Sequence, residues 1–142
     1  MIDGAFQPPA SEKVTARTTI QDLLDEARRR IYRFEPGQAD AAAGHGAVIV
    51  DTRCDDDRRR EGLIPGAIHV PLSVLQWRCD PDSGYADDRF SDLDQQIILV
   101  CNDGYSSSLA AASLLELGFH LAGDVIGGFR AWVKAGLPVE PT

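Results

Sequence analysis

The sequence is short of the features on which several functions depend. It has no apolar run near the roughly 18 residues of a membrane-spanning helix. Its opening, "MIDGAFQPPASEK", lacks the basic flank and apolar centre of a secretion signal. Positive charge is also scarce: 14 Lys and Arg against 22 Asp and Glu leave a net charge of -8. That balance cannot displace counterions from nucleic acid or hold an anionic membrane surface, so neither is an expected partner, and a cytoplasmic protein is expected. Cysteine is limited to Cys54, Cys79 and Cys101, an odd number without CxxC or Cys/His spacing. This excludes a disulfide framework and a zinc site and leaves at least one thiol free. The histidines His45, His69 and His120 lie far apart and read as structural. No metal site is expected.

What remains is an ordinary composition for one domain, 142 residues with 44% hydrophobic and 25% charged. Residues 1–17 carry Pro8-Pro9 and no periodicity, and read as a flexible N-terminal segment. Over residues 18–31 the positions Ile20, Leu23, Leu24, Ala27 and Ile31 follow helical spacing, continued by Phe34, with Thr18 or Thr19 as cap. Arg28, Arg29, Arg30 and Arg33 read as the solvated face of this helical extension. A short extended piece is expected around Tyr32 to Phe34, and "PGQADAAAG" has the makings of a short helix.

"AVIVD", "AIHV", "IILV" and "DVI" read as buried strands. Helical patterns run from Ser107 to Leu117, closed by Gly118, and from Gly128 to Ala135, closed by Gly136 and Pro138. The run from Asp55 to Arg60 carries both signs and reads as a solvated loop or helical turn. Residues 72–94 read as a structured surface excursion. Strands alternating with helices predict an α/β domain over 18–142, a mainly parallel sheet with helices on both faces.

In such sheets ligands gather beyond the carboxyl ends of the strands, and Cys101 is the first residue past one of them. The loop that follows, Asn102, Asp103, Gly104, Tyr105 and Ser106, feeds the start of a helix at Ser107. Backbone amides curling into a helix start favour an anion, so a thiol aimed into them ionises more readily than a free cysteine. Gly104 suits the positive φ such a loop requires. The hydroxyls of Ser106, Ser107 and Ser108 can cap the helix or donate to the sulfur.

Three segments together resemble rhodanese-like domains. "VDTRCDDDRRREGLIPGAIHVP" resembles the family's Asp-x-Arg strand end and the Ile-Pro-Gly-Ala turn. "LVCNDGYSSSLAAASLLELGF" resembles its active-site loop, and "VIGGFRAWVKAGLPV" its closing Gly-Gly-x-x-x-Trp motif. They lie in the family's order. The resemblance implies a rhodanese-like fold of about five strands and sulfurtransferase chemistry without metal or organic cofactor. Cys101 would take a sulfane sulfur from thiosulfate or a persulfide and pass it to cyanide or a thiol, a protein thiol among them. Asp51 and Arg53 match the Asp-x-Arg pair and read as structural, with substrate contact a second role for Arg53.

The chain departs from that pattern at several points. Leu63 stands where the family usually has histidine. Asn102 and Asp103 occupy places where thiosulfate users often carry basic residues, and Ser106 or Ser107 one where arginine or threonine is common. An acidic residue beside an anion site repels thiosulfate, which predicts weak use of that donor. Arg78 is the candidate to restore positive charge if the excursion folds over the pocket, with a rim ion pair the commoner fate of such an arginine. Cys54 is read as a bystander, with a resolving thiol as its second reading, and Cys79 as dispensable. A cysteine phosphatase or arsenate reductase needs an arginine six or seven residues after its cysteine, and these positions are Ser107 and Ser108. A non-enzymatic regulatory or persulfide-carrier module is the other alternative, opposed by the retained cysteine.

Overall fold

A computed structural model of the chain describes residues 5, 7 and 16–142. The segment read as flexible, residues 1–17, lies almost wholly outside the described residues. Among the described residues five strands form one sheet: β1 (Tyr32–Phe34), β2 (Val48–Asp51), β3 (Ile68–His69), β4 (Ile97–Val100) and β5 (Gly123–Val125). Their spatial order is β1-β5-β4-β2-β3, and every pairing is parallel. Among the described residues six α-helices connect and cover them: α1 (Ile20–Arg30), α2 (Pro36–Ala43), α3 (Asp55–Glu61), α4 (Leu75–Cys79), α5 (Ser106–Glu116) and α6 (Gly128–Lys134).

β4 shows why the centre of the sheet reads as an unbroken apolar run. All four of its residues are fully buried; Ile97 and Leu99 enter one core, Ile98 and Val100 the other. Side chains alternate across a strand, so a strand covered on both faces must be apolar at every position. The first core lies under α1, α4 and α5, and the second is closed by Phe129 and Trp132 of α6 with Ala39 of α2. Among the described residues no helix is long and apolar enough to cross a membrane.

α1 begins at a reciprocal cap, in which the Thr19 hydroxyl accepts from the Asp22 amide and the Asp22 carboxylate accepts from the Thr19 amide, both at 3.0 Å. Its inward stripe is narrower than the spacing predicts: Leu24, Ala27 and Ile31 are buried, whereas Ile20 and Leu23 face solvent. The charged run after β2 folds as α3, with Asp55 to Asp57 in its first turn and Arg58 to Arg60 in its last. This order complements the helix dipole. The Leu63 amide donates to the Glu140 carbonyl at 2.8 Å and the reverse bond is 2.9 Å, tying the turn before Ile64 to the C-terminal tail.

Candidate active site

Parallel strands point their carboxyl ends the same way, so the segments leaving β2 and β4 meet along one edge. Asp51 and Val100 are partners in the β2–β4 register, and both the amide and the hydroxyl of Thr52 donate to the Val100 carbonyl at 2.9 Å. Cys101 therefore emerges beside Thr52 and Arg53. A cleft of about 530 Å³ opens there, walled by Thr52, Arg53, Cys54 and Asp57 on one side and by Pro71, Leu72 and Ser73 on another. Its remaining wall is Cys101, Asn102, Asp103, Tyr105 and Ser106.

The Cys101 sulfur sits inside the loop that follows it. The Gly104 amide donates to Sγ at 3.1 Å, and Ser107 Oγ lies 3.2 Å away on the other side. Burial pushes the thiol up. Hydrogen bonds with the Ser107 and Ser106 hydroxyls and from the Ser107 and Gly104 amides outweigh that burial and hold the thiol below the ordinary cysteine value. Cys79 is the contrast within the same chain: buried in the first core near Asp87, its thiol is pushed up to about 12. Position, not residue type, separates the two thiols.

The loop is held closed by contacts that leave no room for a side chain at Gly104. Its φ is +86°, and a Cβ there would stand 2.6 Å from the Gly127 amide nitrogen and 3.1 Å from the Gly127 Cα. The Phe129 and Arg130 amides donate to the Cys101 and Asn102 carbonyls at 2.8 and 3.1 Å, so the start of α6 pins the loop from behind. Gly104→Ala must push the loop off that backbone, and kcat/KM for sulfur transfer should fall about tenfold to a hundredfold. Steady-state kinetics beside an unchanged far-ultraviolet circular dichroism spectrum checks this; wild-type kinetics would show that the loop tolerates displacement.

The other predicted residues divide into wall and foundation. Asn102 turns its amide to Asp57 at 2.9 Å, away from the sulfur. Asn102 and the Cys54 thiol, both donating to Asp57, hold its carboxyl below the usual carboxylate range. Asp103 lines the cleft, but its carboxylate is paired with Arg130 at 2.7 Å. Tyr105 is exposed, with the Arg28 guanidinium 5.5 Å from its ring centre. Asp51 and Arg53 are buried against each other, at 3.1 and 2.9 Å through Nε and NH2, and Arg53 also donates to the Gly62 carbonyl at 2.7 Å. The Arg53 guanidinium lies 3.7 Å above the Phe129 ring.

Two expectations about arginine are corrected. Arg78 does not reach the cleft: it donates to the Tyr85 carbonyl at 2.8 Å and pairs with Asp87 at 3.5 Å, so the excursion keeps it as a surface ion pair. Arg28 and Arg33, read as part of a solvated face, turn inward to the back of the cysteine loop. Each donates to the Gly104 carbonyl, at 2.7 and 3.3 Å. For Arg33 the cause is register: β1 pairs with β5 and sets it opposite Asp124, a buried carboxylate that no helical or strand period reveals; for Arg28 it is the packing of α1 on α5.

Among the described residues no group of three or more His, Cys, Asp or Glu side chains is arranged to hold a metal ion. His69 bridges the Arg53 carbonyl at 2.8 Å and the Arg58 guanidinium at 3.1 Å, whereas His45 and His120 are exposed, the latter paired with Asp94 at 2.7 Å.

The family model for the rhodanese-like domain matches residues 35–135. The chain belongs to the rhodanese-like domain family. A thiosulfate sulfurtransferase GlpE of Stutzerimonas stutzeri is 39% identical over 100 residues, covering 70% of this chain and 83% of the relative. One of Haemophilus influenzae is 34% identical over 108 residues, covering 75% and 92%. Among solved structures, a protein of unknown function from Rhodopseudomonas palustris, described as a "possible tyrosine phosphatase", superimposes with a TM-score of 0.81 at 32% identity. It covers 92% of this chain and 100% of its own. A thiosulfate sulfurtransferase of Pseudomonas aeruginosa gives 0.66 at 26% identity, covering 86% and 22%. Arg28 and Arg33 lie before the span that the family model matches and brace the cysteine loop from the N-terminal side.

Proposed function

We propose that this rhodanese-like domain is a sulfurtransferase in which Cys101 carries the sulfane sulfur. The observation that supports this most directly is the sulfur at the cleft wall, with an amide donor and hydroxyl groups gathered on it. The Cys101 thiolate attacks the outer sulfur of the donor. With thiosulfate, the new S–S bond forms as the old one breaks, sulfite leaves with the bonding electron pair, and Cys101 becomes an anionic persulfide. A thiolate or cyanide then attacks the outer sulfur and returns Cys101 as thiolate. Groups that favour the thiolate also favour the persulfide anion, so one arrangement serves both half-reactions. Asp51 and Arg53 support the cleft from beneath, and Ser106, Ser107 and Gly104 hold the sulfur.

The charge of the cleft favours an uncharged or singly charged persulfide over the thiosulfate dianion. Its acidic wall residues are Asp57 and Asp103, and its one arginine, Arg53, is spent on Asp51. A reducing, cytoplasmic setting with small thiols as acceptors belongs to this reading, which the three free cysteines support. The same cleft disfavours phosphate-ester hydrolysis, because Ser107 faces the sulfur where a phosphate clamp would need a guanidinium.

Intact-mass measurement after incubation with thiosulfate and, separately, with a thiol persulfide tests the function: each sulfur accepted adds about 32 Da. No adduct with either donor would refute it. Donor choice is tested by Asp103→Asn. Arg130 already screens this half-exposed carboxylate, so kcat/KM for thiosulfate should rise about twofold to fivefold at low salt. The gain should shrink as salt rises, with persulfide donors little affected. Equal thiosulfate kinetics at low salt would show that the carboxylate has no part in donor choice.

A further inference from the structure

A continuous hydrogen-bonded path joins the N-terminal brace to the Cys101 sulfur from the side opposite the cleft. Arg33 pairs with Asp124 through Nε at 2.9 Å and through NH2 at 3.2 Å. Asp124 is fully buried, and its Oδ2 also accepts from the Ser107 hydroxyl at 2.8 Å and the Ser108 hydroxyl at 2.7 Å. Ser107 Oγ is in turn 3.2 Å from Cys101 Sγ. Ser107 is itself fully buried, so water does not compete for its hydroxyl.

A hydroxyl carries one proton and two lone pairs. With Cys101 as thiol the count closes: the S–H donates to Ser107 Oγ, and the Ser107 O–H donates to Asp124. Once the sulfur is a thiolate or an anionic persulfide, its donor is gone, and Ser107 stands between two anions with one proton to give. If that proton stays on Asp124, an oxygen lone pair faces the anionic sulfur. If it swings to the sulfur, Asp124 retains Ser108 and both nitrogens of Arg33.

We propose that Asp124 is a positioning residue for Cys101: clamped by Arg33 and Ser108, it competes with the sulfur for the Ser107 proton and so sets how strongly that hydroxyl supports the anionic sulfur. This rests on the persulfide reading of Cys101 and adds a tuning element to it. The competition keeps the sulfur anion from being held too well. A more basic thiolate attacks faster once formed, whereas the Ser107 proton on the sulfur helps Cys101 leave when the acceptor takes the outer sulfur, so the competition balances the two half-reactions. Ser108 and Arg33 set the balance, because each proton they give Asp124 makes the Ser107 proton easier to release.

The charged groups around this path come from every neighbouring element. Arg28 of α1 donates to Ser108 Oγ at 3.1 Å and to the Gly104 carbonyl, and Arg33 of β1 and Asp124 of β5 form the pair itself. On the cleft side stand Arg53 after β2, Asp57 of α3 and Asp103 of the loop, the last paired with Arg130 of α6. Of these, Asp124 is the carboxylate that shares a hydrogen-bonded hydroxyl with the sulfur.

The test reads the Cys101 thiol directly, from the pH dependence of its alkylation by iodoacetamide resolved by peptide mass in the full-length protein. This needs no sulfur donor, so its failure is distinct from failure of the sulfurtransferase reading, which the mass adduct reports. In Asp124→Asn the amide competes weakly for the Ser107 proton, and Cys101 should be alkylated about fivefold to tenfold faster near pH ~6. Above the thiol midpoint of both proteins it should be about twofold to threefold slower, because a less basic thiolate is a weaker nucleophile. A folding defect alone does not make two profiles cross in this way. Ser107→Ala should slow alkylation at the acid end, and in its background Asp124→Asn should lose most of its effect.

If Asp124→Asn does not fold, Ser108→Ala is the milder variant. It takes one donor from Asp124 without touching the sulfur, and should slow acid-end alkylation about twofold to threefold. An unchanged profile in either variant that folds, or an Asp124→Asn effect of full size without the Ser107 hydroxyl, would overturn the proposal.

Discussion

Cys101→Ser should abolish sulfur transfer, by about a thousandfold or more in kcat/KM, while the fold survives. The substitution changes one atom at a site where the amide of Gly104 and the hydroxyl of Ser107 can hydrogen bond to oxygen as they do to sulfur. What is lost is chemical. A serine hydroxyl stays protonated near neutral pH, and it has no sulfur on which a persulfide can form. The mass adduct should therefore vanish from Cys101→Ser and remain on Cys54→Ser, with turnover of the latter close to wild type. Cys54 lines the same cleft, exposed, with its thiol on Asp57 at 3.3 Å rather than on the sulfur of Cys101. A loss in Cys54→Ser equal to that in Cys101→Ser would make the two cysteines a redox pair and displace the sulfurtransferase reading.

How much of this was legible in the sequence depended on how local the cause was. The buried run of β4 and the cysteine at its end follow from one strand covered on both faces, and the helix after it from the apolar spacing of Leu109 to Leu114. The short β1 and β5 were legible because an extended piece and a β-branched run stand at their places. The inward turn of Arg28 and Arg33 was not legible, since it depends on the packing of α1 on α5 and on the pairing of Tyr32 to Phe34 with Gly123 to Val125, far along the chain. For the same reason Asp124 read as a strand residue with no task. A buried acid in a three-residue strand was the available signal, because such a group is rarely tolerated without a cation and hydroxyls around it. Arg78 took the commoner course of an exposed arginine: Asp87 of the same excursion pairs with it at 3.5 Å, and it does not line the cleft.

The Asp-x-Arg motif shows how a foundation sets the stability of a site it does not touch chemically. Arg53→Met should destabilise the domain by about 3–5 kcal/mol, because removal of the guanidinium leaves the Asp51 carboxylate buried without its main partner. Both side chains are nearly inaccessible, 0% and 3%, so water cannot replace the lost bonds. Arg58 reaches Asp51 at 3.4 Å and recovers a part of the interaction, which places the expected cost toward the lower end. Methionine keeps the apolar contact with Phe129, so the loss reports the charge rather than a cavity. In a domain of this size the melting temperature should fall by roughly 10 °C. Replacing both residues, Asp51→Leu with Arg53→Met, removes the stranded carboxylate and should recover part of that loss. The recovery is incomplete, because the Arg53 amide and the Gly62 carbonyl still lose partners. Thermal unfolding of the two single variants and the double gives the coupling directly. A cost under about 1 kcal/mol for Arg53→Met would mean that water reaches the pair after all. A full cost with no recovery in the double variant would mean that the backbone bonds of Gly62 and Arg53, rather than the ion pair, carry the turn beneath the cleft.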